Sequence, residues 1–497
     1  MTNVQPSDRE QTGKGLSLIG LAIGLAAGLA VYGIVEFWID DSDGAPLPIA
    51  AIFFTVTLSG AFVLLAERGR LIPAAIGAGA VALLFVLPDW FMASHAGDAA
   101  DNLNELPAVF WFLPARTLAA YLMISLIKGV MHSGFPPHYR QVFFHGLTLP
   151  LIAGGAALFA GLALILLFVW ARLLKELDVA FFNKLFQEPW FLLPFIGAVG
   201  GLSIAMIRGQ QSVLGALRFV LLLLCRILTP ITAVFTVTLL AVLMFKGAGV
   251  IFDKPYPGAI MIALLIVGAL IFNGVYQNGE GAPPPTWLRI ATLITLIGFP
   301  IYAGLGFTAF ALRIAEYGLT PPRIAGLAVN TLTAAYSIVC VAGLASELRW
   351  SAKRWMPPVA PLNMAMAVAT IVVLTVFASP LANPWAISAK SQYAQLAEEK
   401  ISAEDFDFGY LRFDLGRYGE RALDKLLTLE DHPEAGLIRE KITELRSADN
   451  RWEYEVQDIK PTPAAESEDE RRSAGDRPET LPLNPYPNEP ASPDDEL

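Results

Sequence analysis

Residues 149–171 read LPLIAGGAALFAGLALILLFVWA, a stretch without a single charged side chain. A helix rises about 1.5 Å per residue, so a run of this length covers the roughly 30 Å hydrocarbon core of a bilayer. Inside that core no water is available to the backbone, and a single segment can satisfy its own N–H and C=O groups only as a helix. Outward from this stretch, windows of similar apolarity recur at 16–37, 48–65, 71–88, 106–127, 189–207, 218–245, 257–273, 287–311, 324–344 and 362–379. The expected fold is therefore all-α: a polytopic transmembrane helix bundle of about eleven spans. Gly and Pro inside the spans, such as Gly154, Gly155, Gly200, Gly201, Pro230 and Pro300, are tolerated where neighbouring helices accept a kink or a close approach. The pattern Gly20-xxx-Gly24-xxx-Gly28 predicts close helix packing, within one subunit rather than between two.

Composition agrees. The chain has 497 residues, 55% of them hydrophobic and only 16% charged, against about 25% charged in a soluble domain. The net charge of -10 is concentrated at one end: residues 461–497 hold ten acidic side chains and three arginines, which leaves only -3 for the rest. A soluble nucleic-acid-binding protein is excluded. So is a disulfide scaffold, since the two cysteines, Cys225 and Cys340, both lie in apolar runs and read as small hydrophobes between helices. The run 16–37 is too long for a signal-peptide core and precedes no small-residue cleavage site, so it reads as a retained first span.

The chain falls into four regions: an N-terminal tail at 1–15, the membrane domain at 16–379, a small helical region at 380–460 and an acidic, Pro-rich tail at 461–497, expected to be disordered. Asn383 followed by Pro384 is an N-cap with proline in the first helical position. Ser402 and Asp405 resemble a second cap. Ala422, Leu423, Leu426 and Leu427, then Leu437, Ile438, Ile442 and Leu445, recur at helical spacing. A unit this small has a thin core, so it is expected to dock on the membrane domain or on a protein partner through 384–460. Arg9 and Lys14 before the first span, an acidic first loop with Asp40, Asp41 and Asp43, and Arg68 and Arg70 in the second loop place the N-terminus in the cytoplasm. Arg349, Lys353 and Arg354 mark the last loop as cytoplasmic, which puts the C-terminal region on the outer side; Arg172, Lys175 and Lys184 break the pattern.

Ionisable side chains inside spans are the natural functional pointers, because each needs a carboxylate, a carbonyl or a water-filled cleft. Three arginines stand out as lining a solute path: Arg116 in FWFLPARTLAAYLM, Arg226 in LLLLCRILTP, and Arg218 two turns before it. No Asp or Glu is expected deep in a span, which argues against cation coupling. His132, His138 and His145, with Lys128 and Arg140, read as an interfacial connector whose spacings fit no zinc motif. No metal site and no cofactor is expected, and neither a P-loop nor a Rossmann, G-x-S-x-G or H-E-x-x-H pattern occurs.

The segment 313–323, RIAEYGLTPPR, reads as an ordered hairpin between two spans. Gly318 permits the left-handed end of a helix. Thr320 and Pro321 start the next one. Arg313 can pair with Glu316 on the last turn, Tyr317 suits the interface, and Arg323 closes the motif.

RIAEYGLTPPR resembles a signature of the bacterial family known as domain of unknown function 4153. FVWARLLKELDVAFFNKLFQEPWF at 168–191, ISAKSQYAQL at 387–396 and FDFGYLRFDLGRYGERAL at 406–423 are similar to further stretches of it, in the same order. The resemblance covers roughly 110–430 and implies a multi-pass protein of a bacterial inner membrane, its C-terminal region then periplasmic. That family brings no established reaction or ligand, so no catalytic residue carries over.

The leading reading is a non-enzymatic envelope scaffold, sensor or assembly protein, with the lipid bilayer as surroundings and no nucleic-acid partner. One rival is a permease for a small anionic or lipidic solute, with Arg116 and Arg226 on its path. The other is a lipid-linked-sugar glycosyltransferase using the carboxylates of Asp40 and Asp41, since such enzymes hold a catalytic acid in their first outer loop.

Overall fold

A computed structural model describes residues 6–39, 46–101, 106–254, 256–280, 283–348, 355–448, 451, 453 and 454. Among them there are helices and no strand. The first half comprises α1 (Pro6–Ile34), α2 (Pro46–Leu65), α3 (Leu71–Leu84), α4 (Val86–Asp101), α5 (Leu106–Ser133), α6 (Tyr139–Glu176), α7 (Phe181–Leu185) and α8 (Pro189–Gly209). Then come α9 (Gln211–Lys246), α10 (Gly249–Phe252), α11 (Pro257–Tyr276), α12 (Thr286–Tyr317), α13 (Pro321–Leu348) and α14 (Val359–Phe377). The C-terminal helices are α15 (Pro384–Ala397), α16 (Gly416–Leu427) and α17 (Ala435–Ser447). Eleven stretches are long and apolar enough to cross a membrane, α3 and α4 together making one of them. The protein is a polytopic transmembrane helix bundle.

The chain divides into two compact units, 1–442 and 443–497, and helices α1 to α16 belong to the first. The acidic tail 461–497, the carboxylates Asp40, Asp41 and Asp43, and the basic Arg349, Lys353 and Arg354 lie outside the described residues.

Helices and apolar windows differ where polar residues continue a helix beyond its lipid-facing part. α6 begins at Tyr139, ten residues ahead of the apolar window, and α9 begins at Gln211 rather than 218. Hydropathy marks contact with lipid; the helix runs on because tertiary packing supports it. The third crossing departs most. The expected loop at 89–105 is instead occupied first by α4, which continues α3 past a break at Phe85. Pro88 accounts for that break, since it has no N–H for the Leu84 carbonyl four residues earlier. Asp89 is thereby carried into the bundle rather than into water. At Pro150 in α6 the same defect is repaired by a neighbour: the Tyr121 hydroxyl donates to the Gly146 carbonyl, 2.8 Å, which the proline leaves without its helical N–H.

Small residues set the closest approach. Along α1, Gly20, Gly24 and Gly28 face Gly201, Gly197 and Leu193 of α8 in turn, an antiparallel contact of backbone on backbone. One apolar core, around Leu65, Ala78, Phe85 and Ile124, joins α2, α3 and α5. A second, around Phe272, Phe299, Cys340 and Met356, joins α11, α12 and α13 to the segment before α14. Between the two halves runs a polar chain. Asn363 Nδ2 donates to Tyr139 Oη at 2.9 Å and to Asn273 Oδ1 at 2.7 Å, while Asn273 Nδ2 donates to Tyr336 Oη at 2.7 Å.

With eleven crossings, turns alternate between an N-terminal face (66–70, 134–138, 277–280 and 283–285) and a C-terminal face (177–188, 318–320 and residues 378–442). Helices α15 and α16 are built on the second face. Asn383 Oδ1 caps α15, accepting from the N–H groups of Trp385 (3.0 Å) and Ala386 (3.3 Å), with Pro384 as first helical residue. Ser402 and Asp405 do bond to each other, but they close a turn and not a helix start.

Candidate functional site

Arg116, in α5 on the side of the C-terminal face, is paired with a carboxylate. Its Nε meets Asp89 Oδ1 at 2.5 Å and its Nη2 meets Asp89 Oδ2 at 3.0 Å, a two-pronged pair with the aspartate 1% and the arginine 13% exposed. Nη2 also donates to Thr57 Oγ1 and to the Phe53 carbonyl, and the guanidinium stands over the rings of Phe53 and Phe85. Asp89 follows an apolar window that ends at 88, yet it lies inside the third candidate span, 71–94, near its end, where Pro88 turns it inward and a buried arginine neutralises it.

At the N-terminal face the ends of α1, α2, α5, α6 and α8 enclose a cavity of about 330 Å³. Glu67, just after α2, is its one carboxylate. Lys128 Nζ approaches Glu67 Oε1 to 2.6 Å and is almost fully buried. His132 Nδ1 lies 2.9 Å from the Lys128 carbonyl. A carbonyl can only accept, so Nδ1 carries the proton and Nε2 is turned to Glu67 Oε2, 3.4 Å away. Burial pushes the Glu67 carboxyl up, but the Lys128 bond and the charges of Lys128, His132 and Arg208 outweigh it and hold the group below its usual range. Arg208 of α8 closes the other wall, donating to the carbonyls of Val63 and Ala66 at the end of α2, where a cation complements the helix terminus. His145 stacks near His132, ring centroids 4.8 Å apart, and its buried Nε2 on the cavity wall has no hydrogen-bond partner. Two basic side chains, Lys128 and Arg208, thus face one carboxylate around a void with an idle polar atom, an arrangement suited to an anion.

The other singled-out arginines lie close by, away from Arg116. Arg218 donates to Thr148 Oγ1 at 2.9 Å, and Thr148 lines the charged cavity. The same guanidinium sits 4.2 Å over the Phe144 ring. Arg226 borders a second cavity of about 290 Å³ with Tyr276, Trp355 and the 283–285 prolines. Gln277 and Asn278 separate the spaces that these two arginines enter.

The segment 313–323 sits on the opposite face. Gly318 ends α12 at φ 70°. Arg313 pairs with Glu316 at 3.6 Å, Arg323 donates to the Gly318 carbonyl at 2.8 Å, and Thr320 directly precedes α13. Tyr317 lies between the two guanidiniums. Helix α15 is bonded onto this turn. Ser388 Oγ donates to the Leu319 carbonyl (2.8 Å), Leu319 N–H donates to Ser391 Oγ (3.1 Å), and Gln392 Nε2 donates to the Tyr317 carbonyl (3.1 Å). Tyr410 Oη lies 3.4 Å from Ser388 Oγ, and burial pushes its hydroxyl up to about 12.

Sequence reading alone missed Glu67, Arg208 and Asp89. Glu67 and Lys128 stand 61 positions apart, and nothing local marks either as a partner of the other. The faint signal was that each basic or acidic residue closes an apolar run.

No family model matches the chain, and comparison with curated proteins and with solved structures likewise finds no match. Fold and site define its class: a multi-pass α-helical membrane protein with a charged cavity at one face.

Proposed function

We propose that the protein binds a small anionic solute in the cavity of Glu67, Lys128, His132, His145 and Arg208, as a membrane protein of the permease class. The observation that carries this is the excess of fixed positive charge around an enclosed space whose His145 Nε2 is unpartnered. Within this reading the N-terminal face is cytoplasmic, supported by Arg68, Arg70, Arg140 and Arg208 near it. The chain is then a bacterial inner-membrane protein of the family of domain of unknown function 4153. Three of the four segments behind that resemblance, at 313–323, 387–396 and 406–423, meet in the docking of α15. The test is calorimetric titration of the full chain in nanodiscs with inorganic phosphate and small phosphate esters. Binding should weaken at least about tenfold in Lys128→Met, a loss of about 1.4 kcal/mol. Equal affinity in wild type and variant, or none in either, rejects the reading.

A second reading has its own observation. The clamp of α15 on the 317–319 turn presents a folded helical unit on the C-terminal face, as an assembly or sensor protein needs. It predicts that a defined partner crosslinks to α16 in intact membranes and is lost when residues 384–460 are deleted.

A further inference from the structure

Beside the charged cavity, and open between α6 and α9, runs a separate groove of about 570 Å³. Its walls are apolar: Phe143, Phe144 and Leu147 on one side, Phe219 and Leu222 on the other. Two guanidiniums enter it. Arg140 is half-exposed, with Glu280 3.5 Å away. Arg218 has no carboxylate partner among the described residues, only the Thr148 hydroxyl and the face of Phe144. At the same end lie the amides of Gln141, Gln277 and Asn278.

We infer that this groove holds an anionic phospholipid, its phosphodiester between Arg218 and Arg140 and its acyl chains along the apolar walls. Three features select that occupant. An arginine among apolar side chains in a membrane protein calls for polar or anionic partners, of which Arg218 has one hydroxyl, and a planar guanidinium matches phosphate oxygens in pairs. The wall next to it is lipid-facing surface, with Phe219 67% and Val220 58% exposed, so acyl chains reach the groove laterally whereas a free anion would have to displace them. Two cations against the single carboxylate of Glu280 leave one positive charge, which matches phosphatidylglycerol and repels a choline headgroup. Basic pockets between helices at a membrane face take such headgroups. The inference rests on the membrane fold and not on the solute cavity.

The test is native mass spectrometry of the full chain released from detergent with equal amounts of phosphatidylglycerol and phosphatidylcholine. Wild type should retain phosphatidylglycerol about fivefold over phosphatidylcholine for each arginine engaged. Arg218→Leu should lose most of that preference, Arg218→Lys should keep part of it, and Lys128→Met should leave it unchanged. Thermal unfolding without added lipid should be alike in wild type and Arg218→Leu; if that variant unfolds early, Arg140→Gln carries the test, with partial loss expected. Equal retention of the two lipids by wild type overturns the inference, as does full preference in both arginine variants. Displacement of the lipid by inorganic phosphate, or loss of preference in Lys128→Met, also overturns it by assigning the anion to a free solute or to the other cavity.

Discussion

Gly24 of α1 and Gly197 of α8 stand backbone against backbone: a Cβ on either one would overlap the carbonyl oxygen of the other. The contact repeats one turn away, where Gly20 meets Gly201, so the two helices approach as closely as their main chains permit. Dispersion and main-chain contacts, not exclusion of water, hold helices together in lipid, and both grow as the axes approach.

Substituting Gly24 or Gly197 by leucine should therefore cost about 3 kcal/mol or more, the upper end of overpacking. Gly33, on the same helix but with open space where a Cβ would stand, should tolerate alanine. Thermal unfolding followed with a thiol-reactive dye on Cys225 and Cys340 reads both. Equal losses at the two positions would mean that the close approach is not what matters.

The Arg116–Asp89 pair predicts strong coupling. Arg116→Met or Asp89→Leu alone should cost about 3–5 kcal/mol, because either leaves one buried charge unpaired. The double variant should recover most of that loss. A double-mutant cycle on unfolding in detergent checks this, and additive losses would contradict a neutralised pair.

For Glu67 the folded carboxyl lies below its ordinary value of 4.5. Its contribution to stability is thus fully present above that pH and is lost as pH falls through the lowered value. Glu67→Gln should destabilise the protein at pH 7. The gap between variant and wild type should shrink towards pH 3, measured as unfolding temperature against pH. A constant gap would show that the charge of Glu67 is not what stabilises.

The clamp of α15 predicts local loosening and not global failure. Ser388→Ala with Gln392→Ala removes three side-chain bonds to the 317–319 turn, each contributing about 1 kcal/mol. Limited proteolysis near residues 398–407 should accelerate several-fold while the membrane spans stay protected. Unchanged cleavage would show that the docking does not depend on these bonds.

The two ends of the 313–323 hairpin, Gly318 and Pro321, were legible because each acts through its own φ angle or missing N–H. So was the start of α15, where Asn383 caps the helix that Pro384 opens. The charged cavity was not legible. Lys128 read as part of an interfacial connector, but α5 continues through it and directs it at Glu67, just after α2.

By itself the sequence determined that this chain is a bundle of about eleven membrane-crossing helices, because transfer of apolar side chains and closure of backbone hydrogen bonds are local terms that add along each segment. Only the tertiary structure decided which charges are neutralised and which face a void. Asp89 meets Arg116 and Glu67 meets Lys128 across different helices, while Arg218 meets no acid among the described residues. That pairing depends on how helices turn about their axes and approach one another, and those angles are set by small residues such as Gly24 and Gly197 acting together across the whole bundle.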